Sequence, residues 1–246
     1  MTQVLDREIL DGRVVLNGTW EQFKLIQKGS EDSPGVKLSF FAGAIEIIMP
    51  GFQHENFSEI IGYLVTTFLL AQGLRFYPSG SMTQEKTGEV STQADKSFCL
   101  GLPKLIPDLS IEVVYTSGGL SKLPKYRALG VPEIWFWEDG TLRLYHLRED
   151  GYEEVIQSEL SGLETLDIDL LKRCILMGET DLAEAVKVFG QGISTVGAIP
   201  QGLSSPMAVF PIKAKYISAV KFVQNENCLK VDRKLSIQQK HGNTLR

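Results

Sequence analysis

The chain is poor in the residues that build stapled or zinc-bound folds, with three cysteines and three histidines among 246 residues. Cys99, Cys174 and Cys228 are scattered, odd in number and without paired spacing, which excludes a disulfide framework and implies a reducing compartment. His54 and His146 lie far from the cysteines, so no zinc ligand set forms in the sequence. No Ser-His-Asp or Cys-His arrangement is evident, and Gly118-Gly119 is too little for a phosphate loop. There is no long hydrophobic run either: the most apolar window, residues 60–71, is too short and too interrupted by Thr to span a bilayer. The opening MTQVLDREILDGR lacks a basic-then-apolar layout. These absences predict a soluble, cytoplasmic protein with no membrane partner.

What is present supports one well-packed domain with chain to spare: 43% of residues are hydrophobic, 22% charged and 9% aromatic. The net charge of −5 hides an asymmetry. Residues 194–246 hold 8 Lys/Arg against 2 Asp/Glu, net +6, and residues 1–193 hold 17 against 28, net −11. Nucleic-acid binders usually carry a basic footprint, and the acidic body weighs against that class. The basic segment 194–246 shows little sustained periodicity and is expected to be a loosely ordered extension, with at most one strand or helix near Ala214 to Val223.

Along the chain, residues 1–35 form an N-terminal segment with a short helix predicted from Thr19 to Lys28, Thr19 being its N-cap. Val36 to Phe41 and Ala44 to Met49 read as strands joined at Ala42-Gly43. Ile60, Ile61, Leu64, Val65, Phe68 and Leu69 recur at helical spacing and predict a long helix from Gln53 to Gln72, closed by Gly73. Leu74 to Pro78 and Ser81 to Glu85 are short extended segments. A short helix is expected from Lys122 to Leu129, stopped by Gly130. Glu133 to Trp137 reads as a buried strand, with Trp135, Phe136 and Trp137 in the core. Asp139-Gly140 is a hairpin turn leading to Leu142 to Leu147, and Tyr152 to Gln157 adds an edge strand. Two helices follow, Asp169 to Met177 and Asp181 to Val188. The order is mixed α/β, one sheet flanked by helices.

The most informative stretch lies between Asp95 and Glu112. Residues 92–99 and 108–114 read as two strands around Gly101 and Pro103. A hairpin centred near Pro103 and Lys104 sets Asp95 opposite Glu112, with Cβ atoms about 5 Å apart. One face then carries Asp95, Ser97 and Cys99 against Glu112, Ser110 and Asp108; the other carries Phe98 and Leu100 against Leu109, Ile111 and Val113. Two readings fit: an amphipathic hairpin whose polar face meets water, or facing carboxylates joined by a cation. Asp108 shares the polar face but lies about 13 Å from Glu112 along a straight strand, which ranks it behind the pair.

Several segments together resemble a known family. They are Gly43-Ala-Ile-Glu-Ile-Ile-Met-Pro50 with His54-Glu55, then Ala94-Asp95-Lys-Ser-Phe98, Pro107-Asp-Leu-Ser-Ile-Glu-Val113, Lys122-Leu-Pro-Lys-Tyr126 and Gly130-Val-Pro-Glu-Ile-Trp135. Their order and spacing over about residues 36–160 are similar to the putative restriction endonuclease domain family of the PD-(D/E)XK nuclease superfamily. The resemblance implies a restriction-endonuclease-like core over residues 36–193, a mixed β-sheet flanked by helices, with DNA as substrate and a possible homodimer. It places Asp95 at the family's "PD" aspartate, with Ala94 where the proline stands, and Glu112 at the acidic residue of "(D/E)XK". Val114 occupies the usual lysine position, and the resemblance moves that lysine to Lys122, four residues before Tyr126. Glu46 matches an acidic residue of an early strand that completes the cluster.

The chemistry is consistent with these residues. Phosphodiester hydrolysis needs a nucleophilic water, charge relief at phosphate and help for the leaving oxygen, much of which a carboxylate-held divalent ion supplies. Oxygen ligands favour Mg²⁺ or Mn²⁺, so Asp95 and Glu112 are the expected metal ligands and Lys122 the residue that positions water and stabilises charge. Pro124 belongs in a first helical turn, which puts Ser121 as N-cap and Lys122 at the positive end of its helix, unfavourable by about 0.3–1 kcal/mol unless acids face it. Lys125 competes for the lysine role. His54 is either a helix-start histidine or a contact to the acids or the phosphate. The alternative function is the same fold kept as a binding or assembly module without catalysis.

Overall fold

The computed structural model describes residues 11–33, 35–114 and 119–196. Contacts divide the chain after Ile199; the second unit, with the expected element near Ala214 to Val223, lies outside the described residues. Their strands fall into two sheets. The first has the order β1-β3-β2-β6-β5, built from β1 (Gly12–Asn17), β2 (Lys37–Phe41), β3 (Ala44–Met49), β5 (Thr83–Lys86) and β6 (Val90–Gln93). The second has the order β11-β10-β9-β8-β7-β4, built from β4 (Phe76–Pro78), β7 (Lys96–Leu100), β8 (Leu109–Val114), β9 (Glu133–Glu138), β10 (Thr141–Arg148) and β11 (Gly151–Val155). All neighbours are antiparallel except β8 and β9. A parallel pair needs a crossover, and α3 (Leu123–Leu129) lies in that connection, behind a 3-10 turn at Leu120–Lys122.

The mixed α/β class holds, with the strands shared between two sheets. Local signals explain the elements that match expectation. Helix α1 (Trp20–Gly29) begins at Thr19, whose hydroxyl accepts from Gln22 N while the Gln22 side chain accepts from Thr19 N. Two otherwise orphaned donors are thereby satisfied. Asp139 and Gly140 take φ of 50° and 71°, the double left-handed geometry of a tight β-hairpin. Gly130 closes α3 in the left-handed region, and β11 is an edge strand, as expected.

Three features depart from the expected pattern. Residues 92–99 are not one strand: β6 ends at Gln93 in the first sheet and β7 starts at Lys96 in the second. Ala94 and Asp95 carry the chain across, so Asp95 sits at the seam. Strand β1 lies in the N-terminal segment ahead of the expected helix, where no strand was expected, and pairs with β3 along six residues. Ser121 is not a helix cap; it lies within the 3-10 turn, and Lys122 is the residue at the start of α3.

The main core fills one face of the second sheet. Helix α2 (Phe52–Ala71) lays Phe57, Ile60, Ile61, Leu64, Val65, Phe68 and Leu69 against Phe98, Leu109, Ile111, Val113, Trp135 and Trp137. Helices α4 (Ile168–Gly178) and α5 (Leu182–Val196) pack on α2 and enclose this layer. Each buried aliphatic or aromatic side chain here contributes roughly 1.5–3 kcal/mol. A second cluster, including Val90, Val114, Tyr126, Leu129 and Phe136, fills the other face under α3. Among the described residues no helix is long and apolar enough to cross a membrane.

Candidate functional site

The β7–β8 register is the one the hairpin centre implies: Lys96 pairs with Ile111, Ser97 with Ser110 and Phe98 with Leu109. Continued by one residue, this register brings Asp95 to Glu112. The Asp95 backbone N–H donates to Ile111 O at 3.0 Å. Its side-chain Oδ2 accepts from Val113 N at 2.6 Å. Asp95 thus brackets Glu112 from both sides, its carboxylate replacing a ladder acceptor at the point where β7 has not yet begun. Both acids line one cleft with Lys37, Ser39, His54, Lys122 and Lys125.

The polar face of the hairpin does not meet water. Asp95, Ser97, Ser110 and Glu112 are all buried, covered by the first sheet. Ser110 accepts from Gln84 of β5 at 3.1 Å, and Ser97 donates to Gly80 O at 2.8 Å. Buried charge is costly unless paired, and here each carboxylate has its own set of donors. Asp95 Oδ1 takes the ammonium of Lys37 and lies 2.9 Å from His54 Nε2. Glu112 Oε2 takes Lys122 Nζ at 2.5 Å, and Glu112 Oε1 accepts the hydroxyl of Tyr126. Lys122 and Tyr126 are four apart, so one helical face presents both to one carboxylate. The acid facing the start of α3 offsets the unfavourable placement of a lysine there.

Asp11 completes the arrangement from the N-terminal side. Its Oδ1 accepts from Gly51 N at 2.8 Å and its Oδ2 lies 2.9 Å from His54 Nδ1. Gly51 has no side chain with which to cap α2, and the Asp11 carboxylate serves that end instead, where negative charge is favoured. His54 therefore stands between two aspartates. Burial opposes its protonation, but hydrogen bonds to Asp11 and Asp95 overcome this and raise its pKa to about 9.

The other charges follow the same balance. Burial would raise the pKa of Asp95, but the His54 hydrogen bond and the charges of Lys37, His54 and Lys122 hold it well below the carboxylate range. Burial would lower Lys122 and Lys37; Glu112 and Asp95 raise the first, and chiefly Asp95 raises the second. Lys125 behaves differently. Burial and the neighbouring charge of Lys122 lower its pKa in spite of Glu112 and Glu46. Lys125 is thus the lysine of this group most easily freed of its proton.

Glu46 sits on the rim of the same cluster. It accepts from Arg13 at 2.7 Å and Ser39 at 3.1 Å, and lies 3.4 Å from Lys125 Nζ. Burial would raise its pKa; Lys125, the Arg13 hydrogen bond and Lys122 lower it to about 2. Asp108 is the one expected residue that the fold takes elsewhere. Its Oδ2 accepts from Leu100 N at 2.7 Å and its Oδ1 takes Lys104 at 2.5 Å. It closes the far end of the hairpin, so sharing a strand face with Glu112 did not bring it to the cleft.

Asp95, Glu112, Lys122, Lys125, His54 and Glu46 therefore come together. Tyr126, the tyrosine four residues after Lys122, joins them at Glu112, and Asp11, Lys37 and Ser39 do so without having been singled out. For Lys37 and Ser39 a signal existed. In the β2–β3 hairpin Ser39 pairs with Glu46, and Lys37, two residues earlier, shares its face. Asp11 had none, since its partner His54 is 43 residues away. Among the described residues, no three His, Cys, Asp or Glu side chains form a metal-binding group. Asp95 and Glu112 are oxygen donors lining one cleft, which suits a hard divalent ion completed by water and phosphate oxygens.

No curated protein sequence matches the chain. A family model does, that of Uma2, described as putative restriction endonuclease, over residues 20–174. That span contains every cleft residue named above except Asp11 and Arg13, together with both sheets apart from β1. The chain belongs to the Uma2 family of putative restriction endonucleases, within the restriction-endonuclease-like PD-(D/E)XK superfamily.

Proposed function

We propose that this protein is a metal-dependent endonuclease that hydrolyses DNA phosphodiester bonds in the Asp95–Glu112 cleft. The observation that carries the reading is the pair of buried carboxylates, Asp95 bonded to the backbone on either side of Glu112, beside a lysine on a separate element. Asp95 and Glu112 would hold Mg²⁺ or Mn²⁺, which supplies charge relief at phosphate and a more acidic bound water. Lys122, kept cationic by its acidic neighbours, stabilises charge that develops on the phosphoryl oxygens. Lys125, which donates to Ser39 beside the cleft, is the competing candidate for the lysine role. Tyr126 fixes the Glu112 carboxylate, and His54 fixes that of Asp95. Pairing of two copies would present two such clefts to the two strands of a duplex.

A second reading has one observation behind it: every oxygen of Asp95 and Glu112 already has a protein donor. The fold would then serve as a binding or assembly module. Plasmid cleavage with Mg²⁺ or Mn²⁺ separates the two. The wild-type protein should cut, and Glu112→Gln and Lys122→Ala should each lose about 100-fold or more. Equal cutting by both variants would remove the assignment. No cutting by any form, without a Mn²⁺-induced thermal shift, would favour the binding module.

A further inference from the structure

The two carboxylates are each matched to a lysine, and the two lysines arrive from unrelated elements. Lys37 opens β2 and binds Asp95; Lys122 ends the 3-10 turn and binds Glu112. Both side chains are largely enclosed yet line the open cleft. Lys37 also has a second acid in reach, Glu55 at 3.8 Å, which is half exposed. The acid pair of the cleft is thus matched by Lys37 and Lys122, two carboxylates against two ammonium groups. Such a cluster is charge-balanced before any ligand arrives. A divalent cation that enters alone leaves lysines crowded against it, and a phosphate that enters alone meets two carboxylates.

We propose that Lys37 and Lys122 are internal counter-ions of the metal site, so that divalent cation and phosphodiester bind cooperatively, each supplying the charge that the other displaces. This rests on the nuclease reading of the cleft. On cation binding, Lys37 leaves Asp95 for Glu55 or for a phosphate oxygen, and Lys122 turns from Glu112 to the phosphate. Lys37 is in this sense a positioning residue: it holds the Asp95 carboxylate in place without the metal and yields it when substrate is present. The coupling is reciprocal, so the cation must tighten DNA binding by the same factor.

Calorimetric titration of the full chain with Mn²⁺, with and without an uncleaved phosphorothioate duplex, tests this independently of turnover. Glu112→Gln is the baseline for metal held by the duplex itself. Wild-type affinity for Mn²⁺ should rise about tenfold with the duplex. Lys37→Met should bind Mn²⁺ more tightly than wild type when alone, and lose most of the gain from the duplex, whereas Lys37→Arg should keep it. Circular dichroism shows whether Lys37→Met is folded; if it is not, the wild-type and Lys37→Arg pair decide. Equal Mn²⁺ affinity with and without the duplex, or weaker binding by folded Lys37→Met, overturns the inference and leaves the nuclease reading standing. Wild-type heats indistinguishable from Glu112→Gln under both conditions overturn both.

Discussion

The β7–β8 hairpin buries both of its faces, by opposite means. On one side Phe98, Leu109, Ile111 and Val113 press against α2 in a layer that has no directional requirement. On the other, Asp95, Ser97, Ser110 and Glu112 meet the first sheet, and nearly every polar atom there has a named partner. The apolar face needs volume and shape. The polar face needs particular atoms at particular distances, because a buried charge left without its partner costs far more than a small void. The same six residues of β8 thus join a layer that stabilises the fold to a layer that is prepared for chemistry.

The largest effect that would break this contrast lies on the polar face. Asp95→Ala leaves Lys37 buried without its acid and orphans the Val113 N–H, and should cost about 3–5 kcal/mol in urea unfolding. Adding Lys37→Met should recover part of that loss, leaving about 1–3 kcal/mol for the unsatisfied N–H. If the double variant is no better than the single one, the ion pair is not what the polar layer depends on. Next comes the apolar face. Ile111→Ala should cost about 3 kcal/mol and Ile111→Val about 1 kcal/mol. Asp95→Asn, although equally conservative in shape, should exceed the Ile111→Val loss, since shape does not replace charge. A smaller effect is confined to one range of pH. His54 has its pKa raised from 6.5 to about 9 in the fold. The stability it brings is complete below 6.5 and disappears as pH rises through about 9. Between neutral pH and about 9 the wild type should lose about 2 kcal/mol that His54→Gln does not lose, measured by denaturation at each pH.

The sequence disclosed what depends on neighbours along the chain. The helical spacing of Ile60, Ile61, Leu64, Val65, Phe68 and Leu69 identified α2, and the symmetry of residues about Pro103 identified the register that unites Asp95 with Glu112. It concealed what depends on distant segments. Alternation continues smoothly from Thr92 to Cys99, so nothing local marks the crossing between sheets at Ala94 and Asp95. The partner of Asp95, Lys37, is 58 residues away, and strand periodicity shows only that its side chain shares a face with Ser39. Asp108 shows the converse: its position on the correct face was legible, but the Leu100 N–H it satisfies belongs to the geometry of a turn, which alternation does not encode.

The seam at Asp95 sets a limit on how far this protein can be cut down. A shortened version beginning at α2 would retain Glu112, Lys122, Tyr126 and the six-stranded sheet, and would look sufficient on paper. It would also discard Lys37 and Asp11, so the surviving aspartate would keep a histidine without its second support and lose its lysine altogether. The smallest working unit therefore spans both sheets and the helices that close the core, and fusions or split reporters made from this chain should place their junctions outside residues 11–196.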